Sequence, residues 1–192
     1  MAAKKDSGAQ DLTVRPPHRA DARRNYEALL AAAREAFAER GADAPLEEIA
    51  RRAGVGIGTL YRNFPTRHHL FHSVYASELD EVCQAAAQVA ELPPWEALVT
   101  WIHRFSSYVE TKRALFEALN RDSEMFRSSR QRILEAAGPL YARAQQAGQV
   151  RTDADFDDLL RMLGALLSGT FVDKAQRERV LSIALSGLRP TC

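Results

Sequence analysis

The chain has 192 residues, with 26 Lys or Arg against 25 Asp or Glu, so its formal net charge at pH 7 is +1. This length fits one compact unit or two small domains, and a hydrophobic content of 46% suffices for a buried core. No apolar stretch is long enough to span a bilayer, and no apolar run follows Lys4 and Lys5 as it would in a signal peptide. The two cysteines, Cys83 and Cys192, are too few to form a disulfide framework. We therefore expect a soluble, cytoplasmic protein.

The charges are divided unevenly along the chain. Residues 1–75 hold twelve Lys or Arg and nine Asp or Glu, a balance of +3, whereas residues 76–192 hold fourteen and sixteen, a balance of −2. A positive excess suits a segment that contacts phosphates, so the N-terminal part is the candidate for nucleic-acid binding.

Residues 1–20 are polar and small and include a Pro-Pro pair, which predicts a disordered basic arm. The arm could contact DNA phosphates or a minor groove, or it could simply be solvated. Its basic side chains are Lys4, Lys5, Arg15 and Arg19.

The segment from Asp21 to about Arg40 predicts the first helix of a DNA-binding domain that would extend to residue 75. Its apolar side chains recur at helical spacing, and Gly41 supplies the stop signal. These apolar side chains are Tyr26, Leu30, Ala33 and Phe37.

Two short helices joined by a tight turn are predicted between Leu46 and Phe64. Ile49, Ala50 and Ala53 give the first helix its apolar face, and Gly54 suits the exit because glycine tolerates a left-handed conformation.

The second short helix carries apolar residues at i, i+3, i+4 and i+7, namely Ile57, Leu60, Tyr61 and Phe64. This stripe leaves a free face of small and hydrogen-bonding residues, Gly58, Thr59, Arg62 and Asn63. Two such helices form a helix-turn-helix, whose second helix enters a DNA major groove. An ordinary helical hairpin within a bundle is the alternative interpretation.

The run that begins at Ala50, AxxAGVxxGTLYRxFPTRxxL, resembles the DNA-binding segment of the TetR/AcrR family of bacterial repressors. The resemblance extends over Arg23–Tyr75 and implies an operator-binding domain. It implies base contacts from Gly58, Thr59, Arg62 and Asn63, and phosphate contacts from Tyr61, Arg67 and the backbone at Ile57–Gly58. Arg23, near the start of the first helix, could contact a phosphate there or simply face solvent.

The chain departs from the family pattern just before the second helix. Family members often have a Thr or Ser there, whose hydroxyl caps the helix and can bond a phosphate, whereas this chain has Ala44-Pro45. That contact is therefore lost or replaced by a backbone N–H.

Two clusters superficially suggest metal binding. His68, His69 and His72 share a helix, but no cysteine or carboxylate lies close by in sequence, so we interpret them as a solvated or DNA-proximal face. The acidic run around Asp155 and Asp158 lacks the Gly and Glu of a calcium loop and suits the first turn of a helix. We expect no metal site and no cofactor, and the chain has no motif of an enzyme.

Residues 76–192 show helical periodicity with no alternating strand pattern, so the whole chain is predicted to be all-α, with about nine helices. One of these is a short helix around 113–120, separate from the helix before it. Aromatic residues cluster in the middle of this second domain, and most of them suit a core. The family resemblance adds that these helices commonly enclose an effector pocket. The pocket candidates are Trp101, His103, Phe105, Tyr108, Phe116, Asn120, Phe126 and Tyr141.

The last two predicted helices, near 153–171 and 175–188, carry more apolar surface than one core needs. In the resembled family, two such helices from each subunit form a four-helix dimer interface; a larger monomer core is the alternative. The interface candidates are Leu159, Leu163, Leu166, Leu167, Val180, Ala184 and Leu188.

Together these features predict a homodimeric transcriptional regulator of the repressor type. It would bind a palindromic operator in double-stranded DNA and be released by an unidentified small-molecule effector, which residues 76–192 would bind. The alternative is a helical protein-interaction or architectural module whose helix-turn-helix no longer reads DNA specifically.

Overall fold

The computed structural model describes residue 14, residues 16–116 and residues 123–190, without the side chains of 114–116 and 123–127. This part of the chain contains eight α-helices and no strand, which confirms the all-α prediction. The helices are α1 (Ala20–Arg40), α2 (Leu46–Arg52), α3 (Ile57–Asn63), α4 (Arg67–Gln88), α5 (Pro94–Phe116), α6 (Ser123–Gln146), α7 (Phe156–Leu167) and α8 (Lys174–Ser186), with a 3₁₀ turn over Gly41–Asp43. None of these helices combines the length and the hydropathy needed to cross a membrane.

The helix count is close to the predicted nine. The difference lies in α5, which runs on to Phe116, where the sequence predicted a separate short helix around 113–120. The remainder of that predicted helix, residues 117–120, lies outside the described residues.

Local sequence signals set the ends of the N-terminal helices. Gly41 adopts a φ of 66° at the end of α1, a conformation that costs little without a Cβ, and its N–H donates to the Phe37 carbonyl. Pro65 separates α3 from α4, and the Thr66 hydroxyl then caps α4 by accepting the N–H of His69.

The core of the N-terminal part is built from aromatic pairs between α1 and the elements that follow it. The rings of Phe37 and Phe71 lie 4.7 Å apart, and those of Tyr26 and Phe64 lie 5.1 Å apart. All four side chains are buried, and each contributes about 2 kcal/mol through the removal of apolar surface from water.

Helix α4 crosses the predicted domain boundary at residue 75 without a break and packs against α1, α5 and α6. Val14, just before α1, is tied to this assembly: its N–H donates to the Ser73 hydroxyl, and its carbonyl accepts from the Tyr26 hydroxyl at 2.9 Å. Residues 1–13 and 15 of the predicted basic arm lie outside the described residues.

The core of the C-terminal part is centred on Trp101. Its ring lies 5.3 Å from Phe105 and 5.6 Å from Phe156, and its indole N–H donates to the Val82 carbonyl on α4 at 3.0 Å. Asp155 and Asp158 start α7 by capping each other's backbone N–H, which accounts for the acidic run without a metal.

Candidate DNA-binding surface and effector cavity

The turn between α2 and α3 holds the two helices in a fixed relation. Gly54 leaves α2 with a φ of 69°, and the N–H of Val55 donates to the Ala50 carbonyl at 3.0 Å. Ala50 and Leu60 are almost fully buried between the helices. The small side chain of Ala50 therefore allows the close crossing that a helix-turn-helix requires.

Helix α3 exposes more of its surface than the predicted apolar stripe implied. Leu60 and Phe64 are buried as predicted, but Ile57 is 37% exposed and Tyr61 is 47% exposed. A helix of only two turns buries one narrow strip, and these two apolar side chains lie beside that strip, facing outward with Gly58 and Arg62.

Three of the predicted base-reading residues are linked by hydrogen bonds within α3. The Thr59 hydroxyl accepts from the Arg62 guanidinium at 3.0 Å, and the Thr59 carbonyl accepts from the Asn63 amide at 2.8 Å. These bonds order the side chains on the outer face before any contact with DNA.

The predicted phosphate-contacting arginines have different surroundings. Arg23 is exposed and pairs with Glu27 one turn along α1. Arg67 is half-buried, and its Nη1 donates to the carbonyls of Ala42 (2.8 Å) and Ala44 (2.7 Å). Arg67 thus ties the start of α4 to the turn before α2, a structural contact that the sequence did not predict.

An ion-pair cluster connects the N-terminal helices to the C-terminal ones. Glu78, whose side chain is 1% exposed, pairs with Arg34 of α1 and Arg104 of α5. Glu81 lies one turn further along α4 and pairs with the same two arginines. Burial raises the pKa of the Glu81 carboxyl, but the charges and hydrogen bonds of both arginines outweigh that effect and lower the pKa below its ordinary value.

A cavity of about 510 Å³ lies between α5, α6 and α7. Its volume is in the range typical of small-molecule sites, about 300–1,000 Å³. Two of the predicted pocket residues, Phe105 and Tyr108, line it. The other lining residues are Val109, Lys112, Arg113, Arg130, Ile133, Leu160, Arg161, Gly164, Ala165 and Ser168.

Three other predicted pocket residues, whose side chains are described, lie outside this cavity. Trp101 is buried in the core, His103 lines a second cavity of about 600 Å³ between α5 and α8, and Tyr141 borders a shallow cleft beside the start of α7. Asn120 lies outside the described residues, as do the side chains of Phe116 and Phe126. The sequence did not predict the cations that line the first cavity, because Lys112 and Arg113 are far along the chain from Arg130 and Arg161.

A hydrogen-bonded group links that cavity to α4. The hydroxyls of Tyr108 and Tyr75 lie 2.7 Å apart, and the Tyr75 hydroxyl donates to the Ser129 hydroxyl at 2.9 Å. Burial is the main cause of a raised pKa at Tyr108, so its hydroxyl stays protonated and available for hydrogen bonding. Tyr108 thus lines the cavity while contacting the helix that leads to the DNA-binding part.

The predicted dimer-interface residues fall into two groups. Leu159, Leu163, Leu167 and Leu188 are buried within the protomer, whereas Leu166, Val180 and Ala184 are only partly buried. Two other apolar side chains of α7 and α8 are more exposed: Met162 is 39% exposed and Ile183 is 71% exposed.

The described His, Cys, Asp and Glu side chains form no metal site. No three of them lie close enough together to hold a metal ion. Cys83 is half-buried, and burial raises the pKa of its thiol, which disfavours the reactive thiolate.

Models of known families match both parts of the chain. Residues 29–74 match the model for bacterial regulatory proteins of the tetR family, and residues 93–190 match the model for the C-terminal domain of SbtR-like transcriptional regulators. The proteins that these models describe are transcriptional regulators and not enzymes. This agrees with the prediction from the sequence, which contains no enzyme motif.

Solved structures agree with this assignment. A TetR transcriptional regulator from Streptomyces coelicolor is 41% identical, with a TM-score of 0.76, and the match covers 87% of this chain and 99% of that one. A TetR regulatory protein from Mycobacterium vanbaalenii is 34% identical, with a TM-score of 0.72, and the match covers 91% and 100%.

A curated relative is the HTH-type transcriptional activator FasR of Mycolicibacterium smegmatis, which is 28% identical over 158 residues. The match covers 82% of this chain but only 65% of FasR, so the chain spans slightly less than two thirds of that relative's length. Because both of its parts match regulator models, and two solved regulators exceed 30% identity over nearly their whole length, the chain belongs to the TetR family of bacterial transcriptional regulators.

Proposed function

We propose that this regulator acts as a homodimer that binds a palindromic operator through α3 and is released by a small molecule held between α5, α6 and α7. The observation that carries the proposal is the continuity between the two sites. Helix α4 begins beside α3 and, through Tyr75, contacts Tyr108 in the cavity wall.

The exposed face of α3 supports the DNA-binding half of the proposal. Gly58 would allow close approach to the major groove, and Thr59, Arg62 and Asn63 would meet base edges. Ile57 would contribute its backbone, together with that of Gly58, to a phosphate contact.

Three further side chains would hold phosphates. The Tyr61 hydroxyl is exposed, and Arg23 lies near the start of α1. Arg67 uses one guanidinium nitrogen for two carbonyls, so its other N–H groups could still reach a phosphate.

Release would follow from the contacts of α4. A ligand that displaces Tyr108 would break its hydrogen bond with Tyr75 and shift the balance between two positions of α4. In a dimer, a small rotation of α4 changes the separation of the two α3 helices, which must match successive major grooves about 34–36 Å apart. The effector would therefore act by binding the DNA-incompetent state more tightly.

The outer faces of α7 and α8 support the dimer. Exposed apolar residues such as Met162 and Ile183 lie on the same two helices as the partly buried Leu166, Val180 and Ala184. We propose that these side chains form the four-helix interface, with Leu159, Leu163, Leu167 and Leu188 supporting it from within each protomer. Such a protein would act in the cytoplasm, where the chromosome lies.

The first experiment is binding of the purified protein to the DNA upstream of its own gene, at two salt concentrations. We expect a footprinted palindrome, bound at least a thousandfold more tightly than unrelated DNA, with affinity that falls steeply as salt rises. Weak binding that is equal on every sequence would contradict the proposal and favour the protein-interaction module. A reporter gene fused to the bound promoter then distinguishes repression from activation. This measurement is needed because the relative FasR is a transcriptional activator.

A further inference from the structure

The lining of the cavity between α5, α6 and α7 combines two kinds of side chain. The apolar ones include Phe105, Val109, Ile133 and Leu160. The cationic ones are Lys112, Arg113, Arg130 and Arg161, and the described lining residues include no carboxylate. An apolar space lined by several cations favours ligands that are themselves amphipathic and negatively charged.

The described contacts of the arginines leave the cavity lining with a positive excess. Arg130 and Arg161 share a single carboxylate, that of Asp157 in the first turn of α7. Arg113 donates to the carbonyl of Gly169 at 3.1 Å, a neutral partner that does not compensate its charge. These contacts therefore supply one carboxylate for three guanidinium charges, and that carboxylate pairs with only two of them.

Lys112 lies in the same lining, and its charged form is disfavoured there. Its side chain is half-buried, and burial followed by repulsion from Arg130 lowers the pKa of its ammonium group. An anion beside Lys112 would stabilise the charged form against both effects, so binding would raise this pKa and be accompanied by proton uptake at alkaline pH.

The second cavity, between α5 and α8, lacks this combination. Its lining includes Glu110, Asp173 and Glu178 beside Lys174 and Arg177, so the charges of opposite sign are mixed. It is also poor in apolar side chains, of which Phe171 is the main example. Of the two cavities, the first is therefore the one suited to an amphipathic anion.

We propose that the cavity between α5, α6 and α7 binds a small amphipathic anion, a molecule with an apolar body and one carboxylate or phosphate. The apolar body would lie against Phe105, Ile133 and Leu160, and the anionic group would lie among Lys112, Arg113 and Arg161. This inference rests on the proposed effector role of the same cavity and specifies the chemical class of the effector.

The test uses calorimetric titration of the full-length protein with four probes that share a ten-carbon chain. Decanoate and decyl phosphate carry anionic groups, decan-1-ol is neutral and decyltrimethylammonium is cationic. We expect at least one of the anions to bind about tenfold or more tightly than the alcohol, because a charge-assisted hydrogen bond is worth enough for that factor. The cation should bind more weakly than the alcohol. Which anion binds more tightly distinguishes a carboxylate effector from a phosphate effector.

A matched pair of variants locates the site. Lys112→Met removes a cation from the first cavity, and Lys174→Met removes the same charge from the second. We expect Lys112→Met to weaken anion binding about tenfold while leaving decan-1-ol unchanged, and Lys174→Met to leave both unchanged. Arg161→Met provides a second variant that should fold normally, because the Arg161 side chain is 70% exposed.

Equal affinity for the anions and the alcohol, or an equal loss of anion binding in Lys112→Met and Lys174→Met, would overturn this inference. Operator affinity is measured separately in the presence of each probe, so the two proposals can fail independently. An anion that binds with the expected variant pattern without changing operator affinity would support the ligand class and contradict effector release. An operator complex that forms normally, with no anion preference in the cavity, would contradict the ligand class alone.

Discussion

At the scale of single residues, Tyr61 and Arg67 are both proposed DNA contacts but differ in their contacts within the fold. The Tyr61 side chain is 47% exposed on α3, whereas Arg67 donates two hydrogen bonds to carbonyls of the preceding turn. We therefore expect Tyr61→Ala to weaken operator binding by about 1–3 kcal/mol and leave the midpoint of thermal unfolding unchanged. Arg67→Ala should weaken binding by a similar amount and also lower that midpoint.

Electrophoretic mobility shift and circular dichroism measure the two effects. Tyr61→Phe isolates the hydroxyl, because it keeps the ring and removes only the group that would reach a phosphate, so it should weaken binding as well. If Tyr61→Ala bound the operator normally, Tyr61 would be removed from the set of DNA contacts.

The ion pairs of Glu78 are a second feature at this scale. Its carboxylate is almost fully buried between Arg34 and Arg104, so Glu78→Gln would leave two partly buried guanidinium groups with Glu81 alone. Breaking a buried ion pair costs about 3–5 kcal/mol, and the partial exposure of both arginines reduces the expected loss to about 2 kcal/mol.

Urea denaturation of Glu78→Gln measures this loss of unfolding free energy. The matched control is Glu135→Gln on the exposed face of α6, which should change the free energy of unfolding by less than about 0.5 kcal/mol. Equal stabilities of the two variants would show that the cluster contributes nothing to folding.

At the scale of helices, α8 is held to α5 by polar contacts and keeps apolar residues exposed. Arg177 donates to the Ser106 carbonyl at 2.9 Å and pairs with Glu110, while Ile183 is 71% exposed. We expect Ile183→Asp to shift the protein from dimer to monomer and to reduce operator affinity at least tenfold, because a charge on an apolar interface is costly to bury.

Analytical ultracentrifugation measures the oligomeric state of this variant. Arg179→Asp, at another exposed position on α8, changes the charge without removing an apolar side chain and serves as the control. A dimeric Ile183→Asp would place the interface on a different surface.

The helix ends could be predicted from the sequence, whereas the contacts between distant helices could not. Gly41, Gly54 and Pro65 set helix ends through their own backbone preferences, so the helix-turn-helix was predicted almost residue by residue. By contrast, Lys112 and Arg161 meet in one cavity only because α5 packs beside α7. Such long-range packing has no local signal, and for this reason Trp101 was assigned to the pocket although it lies in the core.

At the scale of the whole molecule, the pH dependence of stability is set partly by Glu81. Its pKa is lower in the folded protein than in the unfolded chain. Such a carboxyl contributes stability that is complete above its unfolded pKa of about 4.3 and is lost as the pH falls through the lower, folded value. We expect Glu81→Gln to be less stable than the parent protein at pH 7, and this difference to shrink steadily below about pH 4.

Thermal unfolding followed between pH 3 and pH 7 tests this expectation. Glu135→Gln again serves as the control, with a difference from the parent that stays small throughout. A gap between Glu81→Gln and the parent that persisted unchanged at pH 3 would contradict the assignment of the lowered pKa to this carboxyl.

The cluster of Arg34, Glu78, Glu81 and Arg104 also has a consequence for protein engineering. It joins α1, α4 and α5. Its members therefore fall on both sides of a junction that fuses the N-terminal domain of one regulator to the C-terminal domain of another. A hybrid built by cutting near residue 75 would combine Arg34 from one parent with acidic partners from the other. Grafts should therefore exchange position 34 together with positions 78, 81 and 104, so that the chimera keeps a matched set of charges.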